Sequence, residues 1–147
     1  MNFSFITPRR FVWLALFILS VPNQLSCAKQ PLPESAEKEA LKSRVQPLWD
    51  AMIANDFDKV YEFTTPSYRR TYSKAHFFAQ YGSQITRESI TVLDIVFQNP
   101  ERSTAKVTLN LSFSTQGFSA SDVFRNTVYV EETWIKDEDQ WWRVEKR

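Results

Sequence analysis

The chain has 147 residues, with 18 Lys and Arg against 17 Asp and Glu, and only 2 glycines, where about 7% of residues would be usual. Gly82 and Gly117 lie too far apart to write a P-loop, a dinucleotide fingerprint or a nucleophile elbow. A single His76 and a single Cys27 exclude zinc fingers, paired-histidine sites and Cys–His dyads, so neither a metal nor a cofactor is expected.

Residues 1–28 read as a secretory signal. Arg9 and Arg10 precede an apolar run from Phe11 to Val21, Pro22 ends it, and Ser26-Cys27-Ala28 offers a small-x-small cleavage site. Eleven residues cannot cross a bilayer, which needs about 20, but they suit the core of a signal. Cleavage after Ala28 releases a soluble protein into the periplasm or the extracellular space. Cleavage before Cys27, with Gln24-Leu25-Ser26 as the preceding box, leaves a lipidated cysteine and a membrane anchor. The first is preferred, because Leu25 sits one place late and Gln24 stands where an aliphatic residue is wanted. Losing Arg9 and Arg10 leaves 16 basic against 17 acidic residues. That balance does not build a nucleic-acid-binding face.

Residues 29–34 form a linker, and 35–147 a single domain without disulfides. From Ser35 to Ala54 the apolar residues Leu41, Val45, Leu48, Trp49, Met52 and Ile53 mark one face of a helix. Pro47, which has no N–H, predicts a kink or restart within it. Asp56 caps a short helix from Phe57 to Phe63. Thr65-Pro66 opens another as N-cap and first-turn proline, and Ser73 caps a last one that Gly82 closes.

After Gly82 the period changes to two. Ser89–Phe97 is apolar on both faces apart from Thr91 and Asp94, which predicts a strand covered on both sides. Beyond the Gln98–Glu101 turn, Ala105, Val107, Leu109, Leu111 and Phe113 alternate with polar residues as a half-buried strand. Val123–Lys136 carries Phe124, Val128, Val130 and Trp134 on one face. After the acidic turn Asp137-Glu138-Asp139, Trp141–Glu145 returns as the last strand. Helices followed by strands predict an α+β fold, with the N-terminal helices packed on a curved antiparallel sheet.

Asn55-Asp56-Phe57, Tyr61, Phe63 and Thr65-Pro66-Ser67-Tyr68, together with the closing Glu132–Lys136 and Trp141–Val144 hairpin, resemble the NTF2-like superfamily. The resemblance covers Ser35 to Arg147. It implies a cystatin-like or NTF2-like cone with a pocket at its mouth, and a homodimer formed through the sheet. The superfamily includes SnoaL-like cyclases, ketosteroid isomerases, dehydratases and domains without activity. Fold does not choose among these.

Asp94 is the candidate catalytic residue. In a cavity, desolvation would raise its pKa and let it serve as acid or base beside a pocket tyrosine; exposed at a strand edge, it has no such role. Trp49, Tyr61, Tyr68 and Tyr129 are the candidate ligand-binding residues, tyrosine offering an apolar body with a polar tip; the competing role is ordinary core. His76 has no nucleophile or second ligand beside it. The stretch Tyr68–Lys74 interleaves aromatic and basic residues, yet the compartment and the net charge argue for a solvated helix face. The residues favour a non-catalytic binding or accessory module, holding a small apolar ligand or a partner protein, over an isomerase, cyclase or dehydratase acting through Asp94. A structural envelope protein with a filled cone is the third alternative.

Overall fold

The computed structural model describes residues 32–81, 85–117 and 122–145. The chain divides into two units, 1–31 and 32–147, and the described residues all belong to the second. The expected export signal with Cys27, and the helix-closing role expected of Gly82, lie outside the described residues.

Helix α1 (Glu34–Ile53) buries Leu41, Val45, Leu48, Trp49, Ala51 and Met52. It runs through Pro47 without the expected restart. The carbonyl that Pro47 deprives of a partner is that of Ser43, on the exposed side of the helix, where water can take it. Asn55 turns the chain in the left-handed region, at φ 55°. Three short helices follow, each opened by a side-chain cap: Asp56 for α2 (Phe57–Glu62), Thr65 for α3 (Pro66–Thr71) and Ser73 for α4 (Lys74–Phe78). Helices this short gain little from propensity and are held by packing. Phe77, which is fully buried, supplies it by contacting the rings of Tyr61, Tyr68 and Tyr81.

Strands β1 (Thr86–Phe97), β2 (Thr104–Gln116), β3 (Val123–Asp137) and β4 (Gln140–Arg143) form one antiparallel sheet in the order β1-β2-β3-β4. This is an α+β fold, as the order of elements predicts. At the β1–β2 turn, Asn99 Oδ1 accepts from the N–H groups of Ser103 and Thr104, at 3.0 Å each. The β3–β4 turn places Glu138 and Asp139 at φ 48° and 63°, the pair of positive values that a tight hairpin of matching twist requires.

The helices cover one face of the sheet, where Ala105, Val107, Leu109 and Trp134 are fully buried with Leu41, Val45, Leu48 and Val60. Burial of this kind contributes about 1.5–3 kcal/mol per large apolar side chain. Glu37 of α1 is buried too, its carboxylate accepting from Lys136 Nζ at 2.8 and 3.0 Å, and so ties the start of α1 to the end of β3.

Strand β1 corrects an expectation. It is covered on one face only, since Leu93 and Val96 are 49% and 47% exposed. Its register slips between Val92 and Asp94. The extra residue, Leu93, reverses the phase of alternation, so that Ile90 and Val92 before it and Ile95 and Phe97 after it all face the helices. An apolar run that reads as two-sided cover is a one-sided strand with a bulge.

Candidate functional site

The helix-facing side of β3 carries two charged residues, Lys136 near its end, paired with Glu37 of α1, and Glu132 between the apolar Val130 and Trp134. Register brings Arg143 of β4 opposite Trp134, on the same face. Both charged side chains are more than nine-tenths buried, and Arg143 Nη1 lies 3.3 Å from Glu132 Oε1. Trp134 Nε1 donates to Glu132 Oε2 at 3.1 Å. Arg143 Nε donates to Glu145 Oε1 at 2.8 Å, and Arg143 Nη2 reaches both Glu145 and the Tyr81 hydroxyl. Tyr81 in turn donates to Glu145 Oε2 at 3.3 Å. One guanidinium therefore holds two carboxylates and a phenol.

The electrostatics follow from burial. Desolvation pushes the Glu132 carboxyl above the usual range, and Arg143 and Trp134 offset this only in part; Trp49 Nε1 adds to them without reaching full hydrogen-bond geometry. Desolvation alone would lower Arg143, but Glu132, Tyr81 and Glu145 outweigh it and the net shift is upward. Burial raises Tyr81 to about 12, with Arg143 opposing. Arg87, opposite Phe113 on β1, is lowered by its own burial and secondarily by Arg143.

Beside this cluster a pocket of about 390 Å³ opens between the end of α4 and the strands. Gln80, Tyr81, Val130, Glu132, Arg143 and Val144 are among the residues that line it. Glu131, at its rim, is engaged by Lys106 at 2.7 Å. A second, smaller cleft of about 210 Å³ lies over α3, with Tyr68, Tyr72, Ile135 and Val144 in its walls.

The residues singled out in the sequence are not gathered in one place. Asp94 is exposed on the face away from the helices, because the Leu93 bulge turns it outward, and its Oδ1 accepts from the neighbouring Ile95 N–H at 2.8 Å. Tyr129 lies on that same outer face, 73% exposed. Its odd position on β3 puts it opposite in phase to Val130 and Trp134. Tyr61 is core, its hydroxyl donating to the Tyr72 carbonyl at 2.6 Å. Trp49 is core as well, 3% exposed. Tyr68 alone of the five lines a cavity, the smaller cleft. His76 stacks on Tyr72 with ring centroids 4.7 Å apart. Among the described residues no cluster of His, Cys, Asp or Glu is arranged to hold a metal ion.

Tyr81 is one of the five tyrosines of the chain, any of which could offer a pocket its hydroxyl, whereas Glu132, Arg143 and Glu145 were not singled out from the sequence as site residues. A signal for Glu132 and Arg143 existed: strict alternation from Val128 through Trp134 puts Glu132 on the apolar face, and from Trp141 it does the same for Arg143. A charged residue in that phase needs a buried partner.

No family model matches this chain, and no curated protein sequence matches it. Among solved structures it is similar to the solution structure of a SEC-C motif containing protein from Rhodopseudomonas palustris, at 17% sequence identity and a TM-score of 0.52, over 69% of this chain and 73% of that one. A likeness at that identity shows the shared fold alone.

Proposed function

We propose that this chain is an exported binding module of NTF2-like type, its helices and curled sheet forming a cone, and that it holds a small, mainly apolar ligand without transforming it. The observation that carries this reading is the pocket beside Tyr81 and Arg143. Val130 and Val144 supply apolar wall, while Tyr81 and Gln80 present polar groups that orient a ligand. The charged groups in it are already engaged. Glu132 is bound by Arg143 and Trp134, and Glu145 by Arg143 and Tyr81. A carboxylate occupied in this way is a poor general base, because taking a proton from a substrate would break its pairing with the guanidinium.

The test is native mass spectrometry of the chain purified under mild conditions, combined with binding of an apolar fluorescent naphthalene dye. Wild type should carry a small retained mass or bind the dye, and Val130→Arg, which fills the pocket, should abolish both. A wild type that binds neither, or a variant that binds as wild type does, would sink this reading.

A second reading rests on the raised Glu132 pKa. With Asp94 turned outward, the acid–base role in an isomerase- or cyclase-type enzyme passes to Glu132, with Tyr81 as donor. A substrate turned over by wild type and not by Glu132→Gln would favour it.

A further inference from the structure

Buried cations in this fold have carboxylates: Lys136 has Glu37, and Arg143 has Glu132 and Glu145. Two half-buried guanidiniums beside β4 do not. Arg44 of α1 and Arg69 of α3 meet over the ring of Trp142, with their Cζ atoms 5.8 and 4.8 Å from its centroid. Arg44 also lies 4.4 Å from the centroid of the Phe63 ring. Among the described residues neither arginine forms an ion pair. Their partners are main-chain carbonyls. Arg44 Nε donates to the Trp141 carbonyl at 3.4 Å, and Arg69 Nη1 donates to the carbonyls of Glu62, at 2.9 Å, and of Thr64. A carbonyl orients a guanidinium but leaves its charge in place.

Two like charges held together in this way are unfavourable. Burial lowers the Arg44 pKa, repulsion by Arg69 lowers it further, and no carboxylate counters either effect. The rings of Phe63 and Trp142 hold the guanidinium planes in place without removing their charge. The hydrogen bonds already made leave a complementary set of donors. Arg44 keeps its Nη1 and Nη2 end, and Arg69 keeps its Nε and Nη2 side. Each is a fork of paired N–H groups that suits two oxygens of one anion. A carboxylate has one charge and two oxygens, enough for one fork. A phosphomonoester carries about two charges at neutral pH and three acceptor oxygens, which matches two forks and two cations. A phosphodiester, with a single charge, does not.

We propose that Arg44 and Arg69, held over Trp142, form a binding site for a phosphoryl dianion. None of the three lines the pocket beside Tyr81 or the cleft over α3, and the site requires neither of them. It draws on α1, α3 and β4, so it exists only in the folded chain. The guanidiniums are fixed by ring and carbonyl contacts before any ligand arrives, which reduces the ordering cost of binding. Inorganic phosphate, a small phosphomonoester and the headgroup of a phosphatidic acid share the chemistry that this site recognises.

The test follows the arginine Nε–H resonances of the full chain, at constant ionic strength, during titration with inorganic phosphate, glycerol phosphate or dimethyl phosphate. Parallel titrations use phosphatidylcholine vesicles with and without phosphatidic acid. Phosphate and glycerol phosphate should shift Arg44 and Arg69 together, saturating with a midpoint of roughly 0.1–5 mM. Dimethyl phosphate should bind about tenfold or more weakly, and binding of the other two should weaken below the second phosphate pKa of about 6. Arg70, exposed on α3, should not move. Arg44→Gln and Arg69→Gln should each weaken binding about tenfold or more, as should Arg69→Lys, which keeps the charge and loses the fork. Val130→Arg, which fills the pocket beside Tyr81, should leave it unchanged, so that this site and that pocket stand or fall separately. Shifts produced only by vesicles containing phosphatidic acid support the site and identify its source as a lipid headgroup. No shift with any of these probes overturns the proposal, and so do shifts that Arg70 shares equally. Binding that survives the Arg44 and Arg69 substitutions unweakened overturns it as well.

Discussion

Arg143 and Glu132 face one another across β3 and β4 with 3.3 Å between guanidinium nitrogen and carboxylate oxygen, each side chain at 8% or less of its full exposure. This pair sits where the sheet, α4 and the pocket meet, and the consequences of disturbing it are unequal. Arg143→Met leaves the Glu132 carboxylate buried without its cation and should cost about 3–5 kcal/mol. Arg143→Met combined with Glu132→Gln removes both charges of this pair but still leaves Glu145 without its guanidinium, so it should recover only part of that loss. Urea denaturation of the two single variants and the double variant checks this. A double variant no more stable than Arg143→Met would show that the pair is not the unit proposed.

Alkaline stability should report Tyr81. Its hydroxyl pKa is about 12 in the folded chain against an ordinary value of 10.0. A group whose folded pKa is raised binds its proton more tightly in the folded state. Its contribution is therefore complete below pH 10 and is lost as pH rises through 12. Two units correspond to about 2–3 kcal/mol at most, reduced by the partial exposure of the ring. Denaturation midpoints of wild type should fall between pH 10 and 12, and Tyr81→Phe should remove that part of the slope. Absorbance at the phenolate band should show one tyrosine ionising late. The Glu132 carboxyl, also raised, behaves with the same sign at lower pH. Its contribution is complete below its ordinary carboxylate value and declines as pH rises through the folded value, opposite to a carboxylate stabilised mainly by its ion pair.

Asp94→Asn should be silent. The residue is exposed, and an amide oxygen can still accept from the Ile95 N–H. A change in stability within about 0.5 kcal/mol, as for most surface positions, and no change in dye binding are expected from the same denaturation and fluorescence measurements.

Much of the fold was legible because it is local. Asp56, Thr65 and Ser73 each cap the helix they precede, for the near-neighbour reason that an oxygen three residues back meets a free N–H. The alternation from Ala105 to Leu111 set the buried face of β2 for an equally local reason. The placement of Asp94 was not legible. A single inserted residue, Leu93, reverses the phase of everything after it, and a bulge leaves no mark in an apolar run. The stretch Val123–Tyr129 shows the same limit from the other side. Its alternation is clear, but whether the apolar face is covered depends on how far the helices and β4 extend over it.

The amino-acid order by itself determined the succession of helices then strands, the caps, the turns and which side chains share a face, since these depend on residues a few positions apart. Only tertiary structure decided which charges became partners. Glu37 and Lys136, or Tyr81 and Arg143, are separated by 99 and 62 positions, and their meeting depends on strand register and helix docking, which no local spacing encodes. The site lies at that junction because a buried charge is tolerated only where the assembled elements deliver its counterion.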